Sequence, residues 1–247
     1  MATWLSDANL QNLAHATTAW LSYSDLCGMK GILNESSINV PIGTFIASNS
    51  DATLRSEVTH PGFGAKRGRP RQLDFALYNN QGKVTQVYEL KWADANTQAI
   101  IDDVYRLESI GIVNIGGDDA FDNAIGRFFI VAGPDADVKA LKKRGVNVGG
   151  GKEKLSDFIL CFDPAANAEE KRIKLNVETC DAKVRDLIRH YQDFYFTKPR
   201  ERQVPKIVHT KLIAHSATGG YQVFVWKVNR AQGTLPVRIT KTGIKPI

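Results

Sequence analysis

The chain has 247 residues, of which 43% are hydrophobic and 23% charged, with a formal net charge of +6. That balance belongs to a globular chain with a buried core and excludes a disordered or low-complexity protein. No apolar run nears the roughly 18 residues needed to cross a bilayer, so no membrane partner is expected.

The length suits a single domain, 1–247, carrying elaborations on one core. The N-terminal "MATWLSDANLQNL" has neither the basic stretch nor the apolar stretch of a signal peptide. Cys27, Cys161 and Cys180 are few, odd in number and far apart. They imply no disulfide framework, and a cytoplasmic location is the simplest expectation. Charge is unevenly distributed. From Lys198 onward ten Lys/Arg face the single acid Glu201, so residues 198–247 carry +9 and the other 197 carry −3. A basic end of that kind predicts a polyanionic partner, most simply double-stranded DNA.

In chain order, residues 7–30 read as a helix, with Asp7 as N-cap and Leu10, Leu13, Trp20, Leu21 and Cys27 at helical spacing. In "GILNESSINVPIGTFIAS" (31–48), Pro41 and Gly43 are expected to break or restart the structure. "QLDFALY" and "KVTQVYELKWA" are strands on either side of "NNQG". Residues 94–110 form a second helix, with Ile100, Ile101, Val104, Leu107 and Ile110 on one side. "RFFIVAG" and "DFILCF" are apolar runs suited to buried central strands. A third helix is expected over "DAKVRDLIRHYQDFYF", then a basic hairpin of "KIVHTKLIAHS" and "YQVFVWKV" around "ATGG". The fold class is therefore α/β, a mixed sheet of about five strands flanked by helices, with a basic C-terminal β-hairpin elaboration.

A symmetric four-residue loop at "NNQG" pairs Tyr78 with Lys83 and sets Asp74 opposite Val87. Glu89 and Lys91 then share the face of Asp74, with Glu89 its diagonal neighbour. Two carboxylates on one face suit Mg²⁺, or Mn²⁺ in its place, leaving coordination positions for water and a phosphate. Such an ion polarises a phosphoryl oxygen and activates water. Lys91 would orient the water or stabilise the phosphorane, and the carbonyl of Leu90 would complete the metal shell. Asp74 and Glu89 so close together would be costly without a cation, which itself argues for a metal.

Asp74, fourteen intervening residues and then Glu89-Leu90-Lys91 resemble the PD-(D/E)XK nuclease superfamily, which includes restriction endonucleases and DNA-repair nucleases. Leu73 stands where the motif's proline would be. The resemblance covers residues 30–132 as a restriction-endonuclease-like core and is silent on the last hundred. It implies a metal-dependent DNA endonuclease, of the type II restriction class or a related defence nuclease, and a homodimer for double-strand cleavage. It also implies an accessory acid from the first helix, for which Glu35 is the choice and Glu57 the rival. Gln98 and Arg106 on the next helix read as ordinary surface positions that could face the site.

"KRGRPR" immediately precedes the Asp74 strand, so Lys66, Arg67, Arg69 and Arg71 are read as a DNA-contacting loop. They would hold phosphates or enter a narrow minor groove. Lys198, Arg200, Arg202 and Lys206, from the basic segment 198–247, are the further DNA-binding candidates. The five histidines show no metal-ligand spacing, and His209 and His215 are expected to face outward. A nuclease-like fold that binds nucleic acid without cutting it, or a nuclease subunit of a larger assembly, are the alternatives.

Overall fold

The computed structural model describes residues 5–59, 72–110, 121–148, 151–164, 170–174, 201–205, 207–229, 234–240 and 243–246. In chain order the elements are α1 (Asp7–Leu26), a 3₁₀ turn (Lys30–Ile32), α2 (Glu35–Ser48), β1 (Thr53–Thr59), β2 (Gln72–Tyr78), β3 (Val84–Trp92), α3 (Thr97–Ser109) and β4 (Phe121–Pro134). There follow α4 (Asp135–Lys143), β5 (Gly145–Val148), β6 (Gly151–Lys154), α5 (Leu155–Phe158) and β7 (Glu170–Lys174). The last five strands are β8 (Glu201–Pro205), β9 (Ile207–Thr218), β10 (Tyr221–Asn229), β11 (Thr234–Thr240) and β12 (Gly243–Pro246).

Seven strands make one sheet in the order β1-β2-β3-β4-β10-β9-β7, and β12-β11-β8 and β5-β6 form two smaller sheets. The large sheet is mixed, because β3 and β4 run parallel, joined through α3, while the other pairs are antiparallel. Helices cover both faces. Leu10, Leu13 and Leu21 of α1 and Ile38, Ile42 and Ile46 of α2 pack with Tyr88, Leu90, Trp92, Ile130 and Val225. On the other face Ile100, Ile101, Val104 and Leu107 of α3 pack with Val87, Phe129, Val131, Phe224 and Trp226, joined by α4 and α5. This is an α/β/α sandwich, with the near-continuous burial of β3 following from its place between two helical layers.

Several local expectations are corrected. The N-cap of α1 is Ser6, whose side chain accepts from the amide of Asn9. Pro41 does not break α2: an Asn34–Ser37 capping box starts the helix, and its buried Ile38, Ile42 and Ile46 hold it against the sheet. Gly43 allows a close approach there, since a Cβ would lie 3.1 Å from the Phe75 ring. "DFILCF" is not a strand: α5 ends at Phe158, and 159–162 is irregular but buried. Two of its carbonyls are met by side chains, with Trp226 Nε1 donating to that of Cys161 at 2.7 Å and Thr210 Oγ1 to that of Ile159, while the amides of Ile159 and Leu160 donate to the Leu155 carbonyl.

The C-terminal hairpin exists, turning at Gly219-Gly220 with φ of 57° and 80°, but it is no elaboration. β10 pairs with β4 and lies inside the large sheet, so the sheet draws on strands well beyond residue 132. His215 is partly buried against the Phe224 ring, with centroids 4.3 Å apart, and not outward-facing. Burial lowers its pKa below the ordinary histidine value. The expected helix over 181–196 lies outside the described residues. No helix among the described residues is long and apolar enough to cross a membrane.

Candidate active site

The expected hairpin forms, but with a different register. Asn79 bonds the Lys83 carbonyl through its amide at 2.9 Å, giving a five-residue loop, and Gly82 takes φ +74° in it. Tyr78 pairs with Val84 and Leu77 with Gln86, so Thr85 is an extra residue in β3. Ala76 therefore faces Val87, and Asp74 does not. The loop and the bulge each slip the register by one residue. Two slips restore the parity of faces, so Asp74, Glu89 and Lys91 still meet.

Main-chain pairing between β2 and β3 runs only as far as Phe75–Tyr88. Beyond it the amide of Leu90 donates to Asp74 Oδ2 at 2.7 Å, so a side chain takes the place of the strand ladder. The Asp74 and Glu89 carboxyls come within hydrogen-bonding reach of each other at this parting of the strands. Glu89 is 1% exposed. Burial pushes its pKa well above the ordinary carboxylate value; Arg106 opposes that shift and Asp74 adds to it.

Lys91 Nζ is held at three points: Glu35 Oε1 at 3.0 Å, Asp103 Oδ2 at 2.9 Å and the Leu90 carbonyl at 3.0 Å. Glu35 arrives as the first residue of α2, positioned by the Asn34 cap. Glu57, its rival, is exposed on the edge strand β1 with φ 52°, a conformation unfavourable for a non-glycine residue. The Leu90 carbonyl, expected on a metal, accepts from the Lys91 ammonium.

Two residues of α3 complete the cluster. Arg106 Nη1 lies 3.2 Å from Glu89 Oε1 and donates to the Gln72 carbonyl at 3.3 Å, while Nη2 pairs with Asp103 Oδ1. Arg106 thus faces the site, whereas Gln98 is exposed and bonded to Asp102 on its own helix. Sequence reasoning overlooked Asp103. The available signal was its spacing, three after Ile100 and four before Leu107, which puts an acid inside the apolar stripe of α3.

The donor set fits a divalent cation. Glu89 Oε1 is buried and accepts no hydrogen bond, because its contact with Arg106 is close but not in line. A second carboxylate, Asp74, stands beside it. Among the described residues no group of three or more His, Cys, Asp or Glu side chains is placed to hold a metal ion together, so the protein ligands would be these two carboxylates. Water and phosphate would have to supply the remaining ligands, as is usual for Mg²⁺.

The basic candidates are less defined. Lys66, Arg67, Arg69, Arg71, Lys198, Arg200 and Lys206 lie outside the described residues, and Arg202 belongs to β8 of the three-stranded sheet. Compared with known proteins, the chain matches no family model, and no curated protein or solved structure shows significant similarity.

Proposed function

We propose that this chain is a Mg²⁺-dependent DNA endonuclease with a PD-(D/E)XK-type centre on a restriction-endonuclease-like core, of the type II restriction class or a related defence nuclease. One observation carries the reading: Glu35, Asp74, Glu89 and Lys91, from three separate elements, gather where two strands part. A structural salt-bridge network would not need a second carboxylate beside a buried Glu89 whose Oε1 accepts no hydrogen bond.

Asp74 and Glu89 are the residues that would hold the ion, which when bound supplies Lewis-acid polarisation of the phosphate and a more acidic water. Asp74 keeps its Oδ2 on the Leu90 amide, a fixed donor that sets the carboxylate's orientation. Lys91 is aimed by Glu35 and Asp103, so its ammonium can hold the attacking water and face the charge that develops on the phosphorane. Glu35, 41% exposed, is the member of this pair that meets solvent and can take a proton from that water. The basic residues of 66–71 and 198–206 would hold the duplex by its phosphates. A homodimer would place one centre on each strand.

Supercoiled plasmid and phage DNA, incubated with the protein in Mg²⁺ or in EDTA, test this directly. Cleavage is expected only with Mg²⁺ and is expected to fall by about 10²-fold or more in Asp74→Ala and Lys91→Ala. DNA binding without cleavage, indifferent to both substitutions, would instead identify a non-catalytic binding protein.

A further inference from the structure

Among the described residues six charged side chains meet at the parting of β2 and β3, and the Asp…Glu-x-Lys pattern accounts for only three of them. Four are carboxylates (Glu35, Asp74, Glu89, Asp103) and two are cations (Lys91, Arg106). With every group ionised, these six described side chains sum to −2, the charge that one divalent cation would offset. Arg106 is the cation positioned against Glu89.

We propose that Arg106 is the resident counter-ion of Glu89 in the metal-free site, a competitor that a divalent cation must displace, with Asp103 as the pivot that retains it. This rests on the nuclease reading above. Its first support is that the contact engages the oxygen a cation needs. Arg106 Nη1 is 3.2 Å from Glu89 Oε1, yet the geometry makes no hydrogen bond to that oxygen. It is a charge contact, so exchange breaks no hydrogen bond to Glu89, and the directional bond Nη1 does make, to the Gln72 carbonyl at 3.3 Å, is to a different partner. A guanidinium and a divalent ion at one buried oxygen repel each other, so occupancy by one weakens the other.

The second support is the tether. Arg106 Nη2 pairs with Asp103 Oδ1 one helical turn back, and Asp103 is 1% exposed. The other Asp103 oxygen lies 2.9 Å from Lys91 Nζ. Arg106 can therefore leave Glu89 without leaving the site. Nη1, whose other partner is the Gln72 carbonyl at 3.3 Å, can then turn one N–H to a phosphate oxygen, which the guanidinium fork suits. Because arginine stays protonated throughout the working pH range, the competition does not relax when pH rises. Asp103 acts as a positioning residue, fixing both cations through one buried carboxylate.

Calorimetric titration of the full chain with Mn²⁺ alone, in wild type, Arg106→Gln and Glu89→Gln, separates the Arg106 competition from the metal site itself. Arg106→Gln is expected to bind Mn²⁺ more tightly, within the roughly 5–150-fold range typical of coupled sites. It is also expected to melt below wild type without metal, with the gap narrowing at saturating Mn²⁺, and to cleave DNA more slowly despite tighter binding. Unchanged or weaker Mn²⁺ affinity in Arg106→Gln, with binding lost in Glu89→Gln, would overturn the competitor role and leave the nuclease reading standing. Mn²⁺ binding that ignores Glu89→Gln would overturn both. Should Arg106→Gln fail to fold, the wild type still decides the question. The Arg106 side-chain nitrogen resonance, assigned with Arg106→Lys, must shift on adding Mg²⁺, and an unmoved resonance would rule out displacement.

Discussion

Glu89 has a carboxylate where the packing calls for an apolar side chain. It sits on a central strand, sealed from water, beside a second acid, and burial dominates over the help of Arg106. A charge in that setting opposes folding, and residues of this kind are retained where function needs them. Glu89→Gln keeps the shape and removes the charge. Without metal it is expected to raise the melting temperature, by an amount corresponding to about 1 kcal/mol, while abolishing cleavage. Scanning calorimetry in EDTA checks the first half. A melting point at or below wild type would mean that the ion pair with Arg106 outweighs the burial. The meeting of Asp74, Glu89 and Lys91 was legible because it depends only on residue type and strand parity. Asp103 and Arg106 were harder to see, because "DDVYR" resembles a solvated helix face until one notices that Asp103 falls in the apolar stripe.

At the scale of elements, the site depends on how helices and strands end. Glu35 can reach Lys91 because it is the first residue of α2, and the Asn34–Ser37 box fixes that start. Asn34→Ala removes the side-chain acceptor of the Ser37 amide, found at 3.2 Å. Loss of such a cap typically costs about 1 kcal/mol. The expected outcome is a small fall in stability joined to a larger fall in cleavage, since Glu35 loses its fixed approach to Lys91. Equal activity at reduced stability would show that Glu35 needs no such positioning. Pro41 pointed towards a break here, and local propensity was overridden by the buried isoleucine stripe. "DFILCF" failed for a related reason: an apolar run reports burial, not period. Trp226 and Thr210 supply the hydrogen bonds that let 159–162 be buried without a strand ladder.

At the scale of the molecule, the C-terminal third completes the sheet. β10, with Val223, Phe224, Val225 and Trp226 all fully buried, fills the position between β4 and β9. Without it, β4 would present an unpaired edge and both helical layers would lose part of their floor. A chain ending at residue 206 is therefore expected to lose cooperative thermal unfolding and near-ultraviolet dichroism, outcomes that a dispensable tail would not produce. A folded, cooperative fragment would instead show residues up to 206 to be self-sufficient.

What the sequence determined by itself was the mixed α/β class of the fold and the shared strand face of Asp74, Glu89 and Lys91. Period-2 and period-3.6 patterns, together with the residue types Asp, Glu and Lys, are properties of short windows. Parity on a strand also survived an error in register, because the loop and the bulge each moved it by one. The tertiary structure alone decided which distant segments share a surface. It set β10 beside β4, brought Glu35 of α2 to Lys91, and turned Arg106 of α3 onto Glu89. Those choices depend on the burial of two sheet faces at once, a collective quantity that no local window contains.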